Sequence, residues 1–207
     1  MSKLLLQLVG SHRDSLYRME YDDDDFLLKH IVEQLNITFH LTDLIILRSI
    51  EEIPDFLIDI HRRQCKSDLL LNWLLGTTTF KNNDDDDKQL ANQKGDNNNN
   101  VKLLALCKFD AYSNGLNFVF GQAHINGKVA AVYLPRLSQE FYGLEKNDNL
   151  FLQRMLKEAV HEIGHAFGLG HCPISQCVMH FSNSISDTDA KVKDFCQDCR
   201  IKIDDRL

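Results

Sequence analysis

Three histidines and one glutamate within residues 161–171 (HEIGHAFGLGH) have the spacing of a metal site that performs chemistry. His161 and His165 are four residues apart, so on a helix they project from one face and can share a metal ion. Gly168 permits a sharp turn that brings His171 round as a third ligand. Three neutral imidazoles leave the fourth position of a tetrahedral zinc open to water, which is typical of a catalytic site.

A helix is predicted to carry the first two histidines. Between residues 152 and 166, apolar side chains recur close to the spacing of one helical face. Asp148 and Asn149 are the candidate caps at its start. The pattern places His161, Glu162 and His165 in the last turns of this helix, with Glu162 next to the metal ligands but not at a ligand position.

Four cysteines form a second candidate metal site directly after the third histidine. Cys172 and Cys177 make a C-x4-C pair, and Cys196 and Cys199 make a C-x2-C pair. Two close pairs of thiolates are the usual ligands of a closed structural zinc. The alternative is two disulfides, which would need an oxidising compartment. The spacing favours zinc, so the sequence predicts two Zn²⁺ per chain, one catalytic and one structural.

The N-terminal residues bear on that alternative. Residues 4–9 are apolar, but this run is too short for the core of a signal peptide and no small-residue cleavage site follows it. We interpret it as a buried strand. The missing signals and the paired metal-binding cysteines predict a cytoplasmic or nucleocytoplasmic protein that is not secreted.

The segment from His161 to Cys199 resembles the archaemetzincin family of metzincin zinc metallopeptidases. It contains HExxHxxGxxHC, then CxM, then CxxC, in the order of that family. Met179 matches the family's Met-turn methionine, whose side chain is expected to pack beneath the histidines without binding the metal. The resemblance covers most of the chain from about residue 62, including residues 117–123 (NFVFGQA), 134–137 (LPRL) and 141–143 (FYG).

The resemblance implies both a fold and an activity. The implied fold is α+β, a metzincin-like zincin with a twisted mixed sheet and helices, an active-site helix and a small C-terminal lobe held by the four-cysteine zinc. The implied activity is hydrolysis of peptide bonds through a zinc-bound water, with Glu162 as general base. Phe181 departs from those metzincins that have tyrosine two residues after the methionine, because phenylalanine cannot donate a hydrogen bond to an oxyanion.

Two other functions compete with this one. A zinc-stabilised protein that binds peptides or proteins with little or no hydrolysis would keep both metal sites, although it would not need Glu162. A four-cysteine zinc finger that contacts nucleic acid would need a basic surface. Only Lys191, Lys193, Arg200 and Lys202 are basic around the cysteines, with acidic residues between them. The choice between aminopeptidase and endopeptidase stays open.

Composition limits the partners. The net charge is -7, but the runs 22–25 and 84–87 hold eight aspartates, so removing those eight charges from -7 leaves +1 for the rest of the chain. A nearly neutral remainder argues against nucleic acid, and no apolar run approaches the length of a membrane span. We expect a monomer that acts on a peptide or protein substrate.

The chain is predicted to be a single metallopeptidase-like domain over residues 1–207, with an N-terminal subdomain (1–168) and a C-terminal subdomain (169–207) that holds the structural zinc. Residues 81–100 are low in complexity and should form a surface loop, as should the shorter acidic run 22–25. Helices are expected over 26–35, over much of 53–75, and over 188–195.

Strands are expected at 37–41, 102–109, 116–124 and 129–134, with Asn126 and Gly127 forming a hairpin turn between the last two. In metzincin-like folds an edge strand above the cleft pairs with an extended peptide, which supplies backbone hydrogen bonds with little demand on sequence. The candidate residues for this strand are Val129, Ala130, Ala131, Val132 and Tyr133. The alternative is an internal strand of the sheet, which the same apolar, β-rich run would also suit.

Overall fold

The structure is a computed structural model that describes residues 3–11, 16, 23–40, 43–47, 49–50, 52–78 and 101–207. The predicted loop 81–100, the aspartates 84–87 and Asp22 lie outside the described residues.

A five-stranded sheet forms the centre of the molecule, in the order β2-β1-β5-β8-β7. Its strands are β1 (Lys3–Val9), β2 (Asp43–Ile46), β5 (Val101–Cys107), β7 (Gly121–Ala123) and β8 (Val129–Tyr133). The first four strands in this order are parallel, and β7 runs antiparallel to β8 at the edge. A smaller sheet contains β3 (Ile58–Asp59), β4 (Gln64–Lys66) and β6 (Ala111–Tyr112) in the order β3-β4-β6.

Helices cover both faces of the large sheet. The helices are α1 (Asp24–Phe39), α2 (Ser67–Thr77), α3 (Asp148–Ala166), α4 (Ile185–Ala190) and α5 (Gln197–Asp204), and α1, α2 and α3 pack on the sheet. Every residue of β5 and β8 is buried, as expected for parallel strands packed on two sides. Alternate residues along these strands point to opposite faces, so Leu104 and Leu106 pack with α1 and α3 while Leu103 and Ala105 pack with α2.

The acidic run near the N-terminus is not a loop where the structure describes it. Asp24 and Asp25 lie in the first turn of α1, and the side chain of Asp23 accepts a hydrogen bond from the amide of Phe26 at 2.9 Å. Acidic groups stabilise the positive end of a helix dipole, so this run begins the helix. The helix continues to Phe39, so the strand predicted at 37–41 is also wrong for residues 37–39.

The strand Val129–Tyr133 is internal rather than at the edge. It pairs with β5 on one side and with β7 on the other, and all five side chains are buried. The prediction that these residues form the edge strand is therefore wrong. Their apolar, β-branched composition reflects burial within the sheet. The edge next to the histidines is β7, and the hairpin turn at Asn126 and Gly127 is confirmed.

The boundaries in the last third of the chain also differ from the prediction. Asn147, rather than Asp148 or Asn149, caps α3 by accepting a hydrogen bond from the amide of Leu150 at 3.0 Å. The single helix predicted over 188–195 is replaced by α4 and α5, with the turn that precedes Cys196 between them. Among the described helices, none is both long enough and apolar enough to cross a membrane.

Candidate active site

The last turns of α3 carry two histidines and a glutamate into the interior. His161, Glu162 and His165 are 5%, 4% and 7% exposed. Their neighbours Val160 and Ile163 pack in the apolar core, so the helix cannot rotate to expose the polar residues. The predicted helical spacing thus places both imidazoles on one helix face, which core packing holds in a fixed orientation.

Hydrogen bonds fix which nitrogen of each buried imidazole faces the other. His161 Nδ1 lies 2.7 Å from the carbonyl of Val178, and His165 Nδ1 lies 2.7 Å from the carbonyl of Leu169. A carbonyl only accepts, so each Nδ1 carries the proton and each Nε2 of a neutral ring presents a lone pair. The two Nε2 atoms are 3.0 Å apart. Two facing lone pairs at this distance fit a shared cation.

Burial favours the form of these rings that binds metal. It lowers the pKa of His161 well below the ordinary value, and the positive charge of Lys191 lowers it further. Burial also lowers the pKa values of His165 and His171. Neutral imidazole is the ligand form, so the three rings are poised to bind a divalent ion at neutral pH.

A sharp turn after α3 delivers the third histidine. Gly168 has a φ of +90°, which is costly for a residue with a Cβ, and its amide donates to the carbonyl of His165 at 2.7 Å. The chain then reverses, and the ring centroid of His171 lies 5.4 Å from that of His161 and 4.8 Å from that of His165. The ligand nitrogens of the three histidines lie within 4.8 Å of one another. His171 is the exposed member of the set.

Glu162 is buried beside the histidines without a full set of partners. Its Oε2 atom has no hydrogen-bond partner among the described residues. Burial raises the pKa of Glu162 well above the ordinary value, and the negative charge of Glu158 raises it further. A Cβ placed on Gly121 of β7 would lie 2.5 Å from both Cγ and Oε1 of Glu162. Gly121 therefore lets the carboxylate approach the edge strand closely.

A buried ion pair lies one helical turn before Glu162. Lys191 Nζ is 2.9 Å from Glu158 Oε1, and the two side chains are 0% and 4% exposed. Thr188 Oγ1 donates to the same carboxylate oxygen at 3.0 Å. The pair joins α3 to the end of α4 and keeps two buried charges satisfied.

Met179 packs beneath the ligand helix, where the resemblance placed it. A Cβ on Gly164 would lie 2.5 Å from Met179 Sδ, so the sulfur fits against the helix backbone between His161 and His165. Met179 is fully buried, and its carbonyl accepts the amide hydrogen of Cys172 at 2.9 Å.

The histidines open onto a cleft of about 520 Å³. The edge strand β7 and the loop before it form one wall, and the segment after Met179 contributes to the other. Apolar side chains from both walls line the cleft: Leu116, Phe118, Val119, Phe120, Ala123, Ile125 and Phe181. The ring of Phe181 meets that of His171 edge to face at 5.1 Å between centroids. The cleft is thus apolar except around the histidines, Glu162 and a few amides and hydroxyls.

The four cysteines gather into a single closed cluster. The sulfurs of Cys172, Cys177, Cys196 and Cys199 lie within 4.8 Å of one another, and all four are free thiols. Cys172 Sγ and Cys196 Sγ are 3.8 Å apart, far beyond the length of a disulfide. The amide of Cys196 donates to Cys177 Sγ at 3.3 Å. Four convergent sulfurs with amide donors fit a tetrahedral zinc rather than two disulfides.

The two clusters share a backbone segment. Cys177, a ligand of the cysteine cluster, directly precedes Val178, whose carbonyl orients His161. Cys172 directly follows His171 in the chain. The cysteine cluster therefore holds both the third histidine and the partner of the first.

Comparison with known proteins agrees with this geometry. The model of Peptidase family M54 matches residues 88–205, more than half of the chain. The protein therefore belongs to Peptidase family M54. It is 50% identical over 105 residues to the archaemetzincin of Pyrococcus furiosus and 52% identical over 104 residues to that of Pyrococcus horikoshii. These alignments cover 51% and 50% of this chain and 55% of each relative, so the chain matches about half the length of these relatives.

Solved structures extend the likeness to nearly the whole chain. The archaemetzincin of Methanopyrus kandleri superposes with a TM-score of 0.74 at 29% identity, covering 100% of this chain and 96% of that one. The archaemetzincin of Archaeoglobus fulgidus, solved with malonate, gives 0.70 at 27% identity over 97% and 99% of the two chains. The predicted family and the α+β fold class are confirmed.

The sequence did not reveal three features of the site. Gly121 lies within residues 117–123, which carried part of the resemblance, but no pattern showed that it touches Glu162. Glu158 precedes Glu162 by four residues, so a shared helical face could have linked them. Its partner Lys191 could not be found from sequence, because the contact joins residues 33 positions apart.

Proposed function

We propose that this protein is a zinc-dependent peptidase that hydrolyses peptide bonds, with Glu162 as its general base. The observation that carries the proposal is the pair of imidazole Nε2 atoms 3.0 Å apart beside a buried glutamate oxygen that has no described partner. Structural zinc sites are closed by four protein ligands, whereas three histidines leave a position for the reacting groups. Membership of Peptidase family M54 supports the same class of activity.

His161, His165 and His171 would hold the catalytic zinc, and the four cysteines would hold the structural zinc. When bound at the histidines, zinc supplies Lewis-acid chemistry, since it makes water more acidic and stabilises negative charge that develops on a carbonyl oxygen. The carbonyls of Val178 and Leu169 orient the histidine rings and fix their tautomers, as outer-sphere partners of metal ligands commonly do.

Glu162 would move the protons. Its raised pKa makes the carboxylate a stronger base than an exposed glutamate, which suits a group that takes a proton from water and then donates it to the leaving amine. Gly121 leaves room for this carboxylate between α3 and β7. Lys191 neutralises Glu158, whereas Glu162, next to the histidines, keeps an oxygen without a partner among the residues that the structure describes.

The edge strand β7 would bind the substrate as an added strand. Phe120 and His124 direct main-chain groups at β8, with Tyr133 N to Phe120 O at 2.8 Å and His124 N to Val129 O at 3.0 Å. By the alternation of an antiparallel ladder, the main-chain groups of Gly121 and Ala123 face away from β8. An extended peptide could pair with them, and its side chains would meet the apolar lining of the cleft.

The test compares wild type with Glu162→Gln on a diverse peptide library, read by mass spectrometry at equal zinc content. Glu145→Gln, an exposed glutamate outside the cleft, is the matched control. We expect wild type and the control to cleave and Glu162→Gln to be inactive while it keeps two zinc ions. The cut sites then distinguish endopeptidase from aminopeptidase action.

Two outcomes would contradict the proposal. Equal cleavage by wild type and Glu162→Gln would mean a contaminating protease or a different mechanism. No cleavage by any of the three proteins, with two zinc ions bound to each, would favour the alternative of a zinc-stabilised protein that binds peptides without hydrolysing them.

A further inference from the structure

A second cavity, of about 470 Å³, lies at the C-terminal end of α3. We call it the basic pocket, because Lys102, Lys128 and Arg206 line it. The remaining lining residues are Asn126, Gly127, Phe167 and Gly168. Thus three of the seven lining residues are cationic, and none is acidic.

Lys102 is held inside this pocket rather than extended into solvent. It is 5% exposed, its Nζ donates to the carbonyl of Gly127 at 2.8 Å, and its Nζ lies 5.1 Å from the ring centroid of Phe167. Burial lowers the pKa of Lys102, and the positive charge of Lys128 lowers it further. A bound anion beside Lys102 would offset both effects by stabilising its charged form.

Arg206 approaches the same space from the turn that follows α5. Its Nη1 donates to the carbonyl of Phe167 at 2.9 Å, and a Cβ placed on Gly168 would lie 2.8 Å from that nitrogen. The glycine thus makes room for the guanidinium. One of the five N–H groups of Arg206 makes this bond, and one of the three on Lys102 bonds Gly127, which leaves donors on both for a ligand.

Several other cations in the described part of the chain pair with carboxylates. Examples are Lys191 with Glu158, Arg136 with Asp110, and Arg154 with Asp189, at 2.7 to 2.9 Å. Lys102 and Arg206 instead bond main-chain carbonyls, as Lys157 also does. A helix C-terminus attracts cations, but its macrodipole corresponds to about half a negative charge. Capping α3 therefore accounts for only part of the positive charge gathered here.

We infer that the basic pocket binds a small anion carrying a phosphate group, either free phosphate or a phosphomonoester. Phosphate carries close to two negative charges at neutral pH and three strong acceptor oxygens. Those charges and acceptors match two ammonium groups and a guanidinium better than a single carboxylate would. The volume exceeds that of phosphate alone and lies within the range of small-molecule sites.

Binding is tested on the zinc-loaded full chain by calorimetric titration at constant ionic strength, with inorganic phosphate, ribose 5-phosphate and acetate as separate probes. The first two distinguish free phosphate from a phosphomonoester, and acetate tests the need for a dianion. Arg206→Gln and Lys128→Gln are the variants, and they spare the more deeply buried Lys102. Lys202→Gln removes an exposed cation four residues away, within α5, as a matched control for Arg206.

We expect saturable binding of at least one phosphate probe to wild type and Lys202→Gln, weakened at least ~10-fold in both pocket variants. Amide resonances of Gly127 and Gly168 should shift along the same titration. The inference is overturned if neither phosphate probe saturates, or if acetate binds as well as phosphate. Binding that both pocket variants retain would overturn it too, because it would place the phosphate elsewhere, for example at the histidine site.

Discussion

The histidine cluster and the cysteine cluster lie next to each other in the chain but differ in their exposure, their number of metal-binding side chains and the groups beside them. The histidine cluster opens onto a cleft, has one exposed histidine, and lies beside a carboxylate oxygen that has no hydrogen-bond partner in the described part of the chain. The cysteine cluster has four ligands, so a tetrahedral ion there has no position left for a reactant. Under the proposed function, this difference means that the cysteine cluster stabilises the chain while the histidine cluster is left open to react.

The largest expected effect comes from removing one cysteine of the cysteine cluster. Cys199→Ser should bind one zinc fewer, and the C-terminal residues should no longer unfold cooperatively. A structural zinc contributes about 10–16 kcal/mol in small domains, whereas the free energy of unfolding of a whole domain is about 5–15 kcal/mol, so its loss is enough to unfold this region. Val178 and His171 should then lose their positions, so activity disappears as well. Zinc analysis and thermal unfolding followed by circular dichroism measure this. A variant that unfolds like wild type would show that the cysteines do not hold the lobe.

The next largest effect comes from removing one histidine of the histidine cluster. His171→Ala should lose the other zinc and reduce peptide hydrolysis by more than ~10³-fold, while unfolding stays cooperative. His171 is chosen because it is exposed, so its removal creates no buried cavity. The measurement is zinc content together with single-turnover cleavage. Global unfolding of this variant would contradict the proposed division between the sites.

Gly121→Ala tests the space that Glu162 needs. The new Cβ would lie 2.5 Å from the carboxylate, so Glu162 must move, and kcat should fall by roughly 10- to 100-fold with both zinc ions retained. Gly76→Ala is the control, since a Cβ there meets nothing within 4 Å. Equal kcat values in both variants would mean that the contact with β7 does not position Glu162.

In metal-free protein, the free energy of unfolding should depend on pH through the three histidines. Burial lowers the pKa values of His161, His165 and His171, so the unfolded chain binds protons at higher pH than the folded chain. Their contribution to the free energy of unfolding is therefore fully present above about pH 6.5 and decreases as the pH falls below it. Urea unfolding between pH 5 and 8 measures this loss. His161→Gln should show a shallower decrease, and an unchanged slope would count against the assignment.

The smallest effect concerns the cleft wall. Ile125→Ala should raise KM roughly three- to tenfold for peptides with apolar side chains and leave kcat unchanged, because this side chain lines the cleft and has no role in the proposed chemistry. Ile60→Ala, equally exposed but outside the cleft, should change neither constant. A change in kcat alone would mean that Ile125 affects the chemical step rather than substrate binding.

Much of the site could be predicted because its ligands are close in sequence. Helical spacing places His161 and His165 together, and a glycine turn returns His171, so local geometry is sufficient. The same holds for the four cysteines, whose outermost members, Cys172 and Cys199, are 27 residues apart. That this cluster and the histidines hold zinc stays a prediction, as does the boundary at residues 168 and 169.

The fold was harder to predict where long-range pairing decides the outcome. An apolar run such as Val129–Tyr133 looks the same at the edge and in the interior, and only its pairing with both β5 and β7 identifies it as internal. The acidic run near residue 24 was assigned to a loop from composition, although charges of that sign also stabilise a helix start. Contacts such as Lys191 with Glu158 depend on how two helices pack.

Stepwise removal of zinc tests most directly whether the histidine cluster supports hydrolysis while the cysteine cluster stabilises the fold. Limited chelation should first release the zinc of the histidine site through its open cleft, abolishing peptide hydrolysis while circular dichroism and cooperative unfolding persist. Release of the second zinc should then unfold the C-terminal residues. Loss of both ions in one step, or hydrolysis that survives release of the first, would contradict the account.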